Sequence, residues 1–139
     1  MAGDSGTPLV KKLGIKSGFN IAFVNAPRDF ARTLDLPTEV AINSRTQRPL
    51  DFVLLFVKDQ KSLTIGFSQY AARLKPAGML WVAWPKKSSG VMTDLSETPV
   101  RAIGLAAGLV DVKICAVDDT WSGLKFVFRL KDRASIHRD

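Results

Sequence analysis

Two stretches constrain the fold more than any other feature. "LDFVLLFVK" carries an uninterrupted apolar run from Phe52 to Val57, and "MLWVAW" does the same from Met79 to Trp84. A strand with one face in water alternates apolar and polar side chains. These runs do not alternate, so both of their faces must be covered. They are also too short for buried helices. The chain between them supplies a cover. Asp59 is placed to cap a helix whose Leu63, Phe67, Tyr70, Ala71 and Leu74 recur at helical spacing, and "KPAG" breaks it. A strand, a helix and a second strand imply parallel pairing, with the two runs as adjacent central strands.

The remaining elements follow the same logic. Residues 1–6 are small and polar and are expected to be disordered. In "TPLVKKLG", Thr7 is a candidate N-cap, Pro8 a first helical residue and Gly14 a stop. "FNIAFVNA", bounded by Gly18 and Pro27, reads as a buried strand. Pro27 opens a short helix to about Leu34, with Phe30 and Leu34 inward. "TEVAIN" is a short strand and Ser44–Pro49 a basic loop. A third helix spans about Glu97 to Ala107, with Val100, Ile103 and Ala107 inward and Gly108 stopping it. "VDVKICAVD" and "GLKFVFRLK" are two closing strands, joined through "DTWSG" as a hairpin. The prediction is one α/β domain over residues 7–131 with a polar tail at 132–139. It is a Rossmann-like three-layer sandwich with about six strands, mostly parallel, ending in an antiparallel hairpin.

Composition narrows the function classes. The 20 basic residues outnumber 13 acidic ones in 139, a net charge of +7, which favours anionic partners. The lysines and arginines are scattered along the chain and form no block, which equally suits plain solubility. The one cysteine, Cys115, lies in an apolar run and reads as a core residue, so a reduced, cytoplasmic setting is expected. No apolar run approaches the ~20 residues of a membrane span, and no membrane association is expected. His137, the one histidine, falls in the tail, which argues against a Ser–His–Asp or Cys–His arrangement. One cysteine and one histidine make no zinc site. Asp118 and Asp119 with Asp94 and Glu97 suit magnesium or, more simply, a turn and a helix start. No metal is expected.

The phrases "GIKSGFNIAFVNAP", "LDFVLLFV" and "ARLKPAGMLWVAWPK" resemble the core of the class I S-adenosylmethionine-dependent methyltransferases. Asp51, the turn Leu74–Gly78 and the hairpin from about Val112 to Leu130 carry the likeness. More closely, "TPLVKKLGIK", "LWVAWPKKSSG" and "GLAAGLVDVKICAVDDTWSGLKFV" resemble a family of small bacterial proteins of unknown function. That resemblance covers Thr7 to Arg133 and implies a fold with no assigned activity. Against the methyltransferase pattern, the first turn, Asn25–Ala26–Pro27–Arg28, has no glycine. Asn43–Ser44–Arg45 stands where a ribose-binding acid is expected. The chain is also short by about one strand–helix unit between Asn43 and Asp51. The expectation is therefore no tight binding of adenosylmethionine, and no other cofactor.

Ligands of open α/β sheets bind outside the carboxyl ends of the strands. That edge is expected to carry Asn25–Arg28, Ser44–Arg48, Lys58–Asp59, Trp84–Gly90 and Asp118–Gly123. The stretch "WPKKSSG" is the candidate site. Lys86 and Lys87 supply charge, and Ser88, Ser89 and Gly90 supply directional donors as in an anion nest. Trp84 offers a ring for stacking, Trp121 a second ring across the mouth, and Arg28, with Arg45, Arg48 and Lys58, a positive rim. The competing reading is a solvated loop whose serines cap local backbone, with Trp121 packed over the sheet end. Three functions stay open. The first is a non-catalytic domain binding a phosphate- or nucleotide-like anion. The second is a divergent methyltransferase. The third is an interaction protein, for which a homodimer is one form. Nucleic acid is a further partner that the charge allows.

Overall fold

The structure is a computed structural model that describes residues 6–42 and 48–136. The expectations for residues 1–5, 43–47 and 137–139, including Ser44, Arg45 and His137, lie outside the described residues. Among the described residues, three α-helices and six strands follow one another as α1 (Leu9–Leu13), β1 (Asn20–Val24), β2 (Ala41–Ile42), β3 (Leu50–Phe56), α2 (Gln60–Ala71), β4 (Leu74–Pro85), α3 (Glu97–Ala106), β5 (Leu109–Ala116) and β6 (Trp121–Phe128). One mixed sheet runs in the order β2-β1-β3-β4-β6-β5. The pairs β2–β1, β1–β3 and β3–β4 are parallel, while β4–β6 and β6–β5 are antiparallel. The expected Rossmann-like sandwich with a closing hairpin is the architecture found.

β3 and β4 are neighbours at the centre, and Phe52 to Val57 are all buried. Their alternate side chains feed two separate cores. Val53, Leu55, Leu80, Val82 and Trp84 pack under α2 and α3 with Leu63, Phe67 and Val100. Phe52, Leu54, Phe56, Trp81 and Ala83 pack on the other face with α1 and the β1–β2 connection. Both faces being dry is the reason these strands lack alternation.

Four expectations are corrected. α1 begins at Leu9, with Pro8 rather than Thr7 at its N-cap, although Gly14 does stop it in the left-handed conformation at φ 85°. The segment after β1 forms only a 3-10 turn, Phe30–Thr33, because Asp29 sits at φ 64° and breaks any helix from Pro27. "KPAG" is no simple breaker, since β4 already starts at Leu74. Leu74 pairs with Leu50 and Met79 with Phe52, so Lys75–Gly78 bulge out of the ladder. A Cβ on Gly78 would meet the Leu50 carbonyl oxygen at 2.9 Å, which explains the glycine. On α3 it is Gly104, not Ala107, that faces the core, against the Phe126 ring.

Candidate functional site at the carboxyl edge of the sheet

β1, β3 and β4 all end at one edge of the sheet. The β5–β6 turn joins them there, since Trp121 pairs with Pro85. The chain leaves β1 for β2 on one side and returns to β3 on the other, so the strand order reverses between β1 and β3. A crevice opens outside such a point in a doubly wound sheet. Here a cleft of about 240 Å³ is lined by Asn25, Phe56, Val57, Lys58, Asp59, Ser62 and Trp121. A second, of about 330 Å³, continues along β1 and α2 and shares Asn25 and Ser62 with the first.

Each wall has a local cause. Asn25 follows the last residue of β1 and takes φ 58°, in the left-handed region. Asparagine tolerates that conformation better than most residues, so it makes the turn for which glycine is the default. Asp59 is the N-cap of α2 and accepts a 2.7 Å hydrogen bond from the Ser62 amide. Hydrogen bonds from the Ser62 backbone and then its side chain hold the Asp59 carboxyl below its ordinary range. The Asp94 carboxylate accepts from the Gln60 amide at 2.8 Å, so Asp94 caps α2 and not the α3 start expected for it. The Thr93 hydroxyl donates to the Lys58 carbonyl at 2.6 Å. These bonds fasten the segment after Gly90 over the end of β3.

The residues singled out in the sequence fall into three groups. Trp84 is buried beneath α2 and α3, and Trp121 is buried on the opposite face of the sheet. Both rings are largely covered, Trp84 at 5% and Trp121 at 8% exposure. Trp121 is the first residue of β6 and meets Phe56 edge to face, with centroids 5.0 Å apart. Trp121 also lines the cleft. The Lys86–Gly90 loop is wound into a short 3-10 turn, Lys87–Ser89, with Gly90 at φ 76°. Its Lys86 amide donates to the Thr120 carbonyl, its Ser89 amide to Lys86 and its Gly90 amide to Lys87. The Ser89 hydroxyl donates to the Lys86 carbonyl and accepts from the Val91 amide. Three of the loop's amides are thus already engaged, which is local capping and not an open nest. Lys87 and Ser88 are exposed, and Arg28 is exposed in the turn after β1. Asp118, considered for a metal, accepts from the Thr120 and Trp121 amides and shapes the β5–β6 turn.

Asp51 lies at the opposite, amino-terminal end of β3. It accepts from the Asn20 amide at 2.8 Å and pairs with Lys75 at 3.2 Å. Its role is to tie β1 and the β4 bulge together. Sequence reasoning missed Ser62 as a cleft residue; its position one helical turn after a capping Asp59 was the available signal.

No protein-family model and no curated protein matches the chain. Solved structures do. Magnesium protoporphyrin IX methyltransferase from Synechocystis PCC 6803 with bound SAM superposes with a TM-score of 0.57 at 11% identity, covering 87% of this chain and 74% of that one. A ribosomal protein L11 methylase from Lactobacillus delbrueckii subsp. bulgaricus gives 0.59 at 8% identity, over 87% and 75%. A SAM-dependent methyltransferase from Aquifex aeolicus gives 0.56 at 15% identity, over 85% and 86%. The chain has the Rossmann-like fold of the class I S-adenosylmethionine-dependent methyltransferases. At these identities the likeness is one of fold. Against the expected pattern, the glycine-free first turn nevertheless turns as required, through Asn25. The β1–β2 connection of this methyltransferase-like chain carries no α-helix, so none presents its N-terminus to the crevice.

Proposed function

We propose that the chain is a divergent S-adenosylmethionine-dependent methyltransferase whose cofactor sits in the crevice between the carboxyl ends of β1 and β3. The observation that carries this reading is the cleft at the strand-order reversal, with its mixed lining. Phe56, Val57 and Trp121 offer an apolar wall, and Asn25 and Ser62 offer hydrogen-bonding groups. Lys58 and Asp59 stand side by side as opposite charges, matching the carboxylate and the ammonium or sulfonium of a methionine-derived ligand. Few polar groups on an apolar wall is the usual make-up of a cofactor site. When bound, the cofactor would supply an electrophilic methyl group to the lone pair of a substrate nucleophile, with the carbon–sulfur bonding pair staying on sulfur. Lys58 and Asp59 would hold the amino-acid end of the bound cofactor. Two neighbours described with bound SAM, the Synechocystis enzyme and a fibrillarin from Aeropyrum pernix, support the choice of ligand.

Pro27 lacks an amide donor and no helix follows β1, so modest affinity is expected, toward the upper part of the ~1 μM–1 mM range common for enzyme ligands. The test is a thermal-shift titration with S-adenosylmethionine and S-adenosylhomocysteine. Both should raise the melting temperature, as any ligand of the native state does. Ser62→Trp, at an exposed position on the cleft wall, should abolish the shift, whereas Ser62→Ala, which loses only the side-chain hydrogen bond to Asp59, should keep it. No shift at millimolar ligand, or an unchanged shift in Ser62→Trp, refutes the assignment. The Lys86–Gly90 loop is not preferred as a ligand site, because three of its amides are already engaged and Lys87 is its one exposed lysine.

A further inference from the structure

The cleft of about 330 Å³ leaves the wall of Asn25 and Ser62 that it shares with the crevice and follows β1 and α2. One side is Val24 and Leu55, which are Cα partners across β1 and β3. The other is a single stripe of α2. Ser62, Ile65, Gly66, Gln69 and Tyr70 recur there every three or four residues, so they share one helix face. From Ser62 to Gln69 the stripe is about 10 Å long. These dimensions suit a small molecule of one or two rings and not a chain.

The lining sets the chemistry of the occupant. Among the described residues none that lines this cleft is charged, although the chain has 20 basic and 13 acidic residues and the crevice next to it contains Lys58 and Asp59. An ion placed here would lose hydration and gain no counter-charge. The occupant is therefore neutral. Val24, Leu55 and Ile65 give apolar surface, and Ile65 is 61% exposed at the lip. A sugar would set its hydroxyls against these three, whereas a flat ring covers them with its faces.

Polar groups stand where the edge of such a ring would lie. Among the described residues the side-chain amides of Asn25 and Gln69 and the Tyr70 hydroxyl make no hydrogen bond. A side-chain amide holds a donor and an acceptor side by side. That pair fits the lactam or amidine edge of a nitrogen heterocycle, as Asn and Gln fit the edge of adenine. Arg73 lies over the Tyr70 ring, 5.6 Å from its centroid, and steadies the phenol at the far end.

We propose that this cleft binds a neutral nitrogen heterocycle, flat between β1 and α2, with its polar edge on Gln69 and Tyr70. Its role as methyl acceptor rests on the function proposed above. In that role a ring nitrogen near Asn25 would give its lone pair to the methyl carbon. The carbon–sulfur pair would stay on sulfur, and the ring N–H proton would pass to water.

The experiment is a titration of the isotope-labelled full chain with millimolar cytosine, hypoxanthine and benzoate, followed by amide NMR shifts. At least one of the two heterocycles should shift the amides of Gly66, Gln69 and Tyr70 saturably, and benzoate should not. Gln69→Leu, at an exposed position, should weaken that binding at least fivefold and keep any adenosylmethionine-induced thermal shift. If Gln69→Leu does not fold, Gln69→Ala decides. Saturating S-adenosylhomocysteine should leave the heterocycle bound. The proposal is overturned if neither heterocycle shifts these amides, if benzoate binds as well as they do, or if the Gln69 variants bind as the parent does. Displacement of the heterocycle by S-adenosylhomocysteine also overturns it, by making the cleft the adenosyl end of the cofactor's own site. Heterocycle binding without any cofactor binding upholds the cleft and removes only the function proposed above.

Discussion

The indole N–H of Trp81 donates to the backbone carbonyl of Leu13 across 2.9 Å, joining the middle of β4 to the last residue of α1. Both groups are buried. A five-residue helix is too short to hold itself together, so its form depends on docking. Leu13, Ile15 and Trp81 supply the apolar part of that docking, and the indole supplies its direction. The position of Lys12, whose ammonium donates to the Ala116 carbonyl on the closing hairpin, is a consequence.

Trp81→Phe tests this link. It removes the donor, leaves the Leu13 carbonyl buried without it, and opens a small void. The expected loss is about 1–3 kcal/mol of unfolding free energy in urea denaturation. Hydrogen exchange should quicken at Gly14 and Ile15, whose amides close the helix end, more than in β3. Equal protection in both variants would mean that α1 docks by packing alone.

Leu55→Lys is expected to prevent folding. Leu55 is 1% exposed in the core beneath α2, where a Cβ built on Gly66 would meet its Cδ2 at 3.2 Å. A lysine there buries an ammonium with no partner. A soluble variant with the parent's far-ultraviolet circular dichroism and a cooperative melt would contradict the two-sided burial of β3.

Much of the fold was legible because it is written in local pattern. Phe52–Val57 and Met79–Trp84 announce two-sided burial, and Asp59 followed by Leu63 and Phe67 announces α2. The connection after β1 was less legible. Asp29 and Glu39 take positive φ without being glycine, and nothing in their identities demands it. The site was harder again. Trp121 reads as a turn residue beside "DDT", yet its pairing with Pro85 draws it into β6 and onto Phe56. Lys12, Lys113 and Lys125 look scattered because no local pattern relates them. Antiparallel register alone places Lys113 opposite Lys125, and the docking of α1 brings the Lys12 carbonyl within reach of Lys113.

Arg101 links α3 to β5 through its Nε–H bond to Asp111 at 2.8 Å, and it also pairs with Glu97 one helical turn earlier. The hydrogen bond from Arg101 holds the Asp111 carboxyl below its ordinary value of 3.8. A carboxylate with a lowered folded pKa adds stability above its unfolded pKa and loses it as pH falls through the folded value. The parent should therefore exceed Asp111→Asn in urea midpoint by a constant margin from neutral pH down to about pH 4, and the margin should shrink below that. A margin independent of pH down to strong acid would assign the effect to shape and not to charge.

Gly104 allows α3 to lie against the sheet. A Cβ built there would sit 2.1 Å from the Phe126 ring, and that ring is held in turn by an edge-to-face contact with Phe67 at 5.1 Å. Alanine normally favours a helix interior over glycine by ~1 kcal/mol. Here the methyl group must displace Phe126 or lift α3, and overpacking of this kind costs about 1–3 kcal/mol. Gly104→Ala should therefore destabilise despite its better propensity. Phe126→Leu removes part of the obstructing ring, so Gly104→Ala should be less harmful in that background. The double-mutant cycle should give a favourable coupling of roughly 0.5–3 kcal/mol between the two changes. Stabilisation by Gly104→Ala in the parent, or a coupling near zero, would mean that α3 stands off the sheet and that close approach at Gly104 does not set its position.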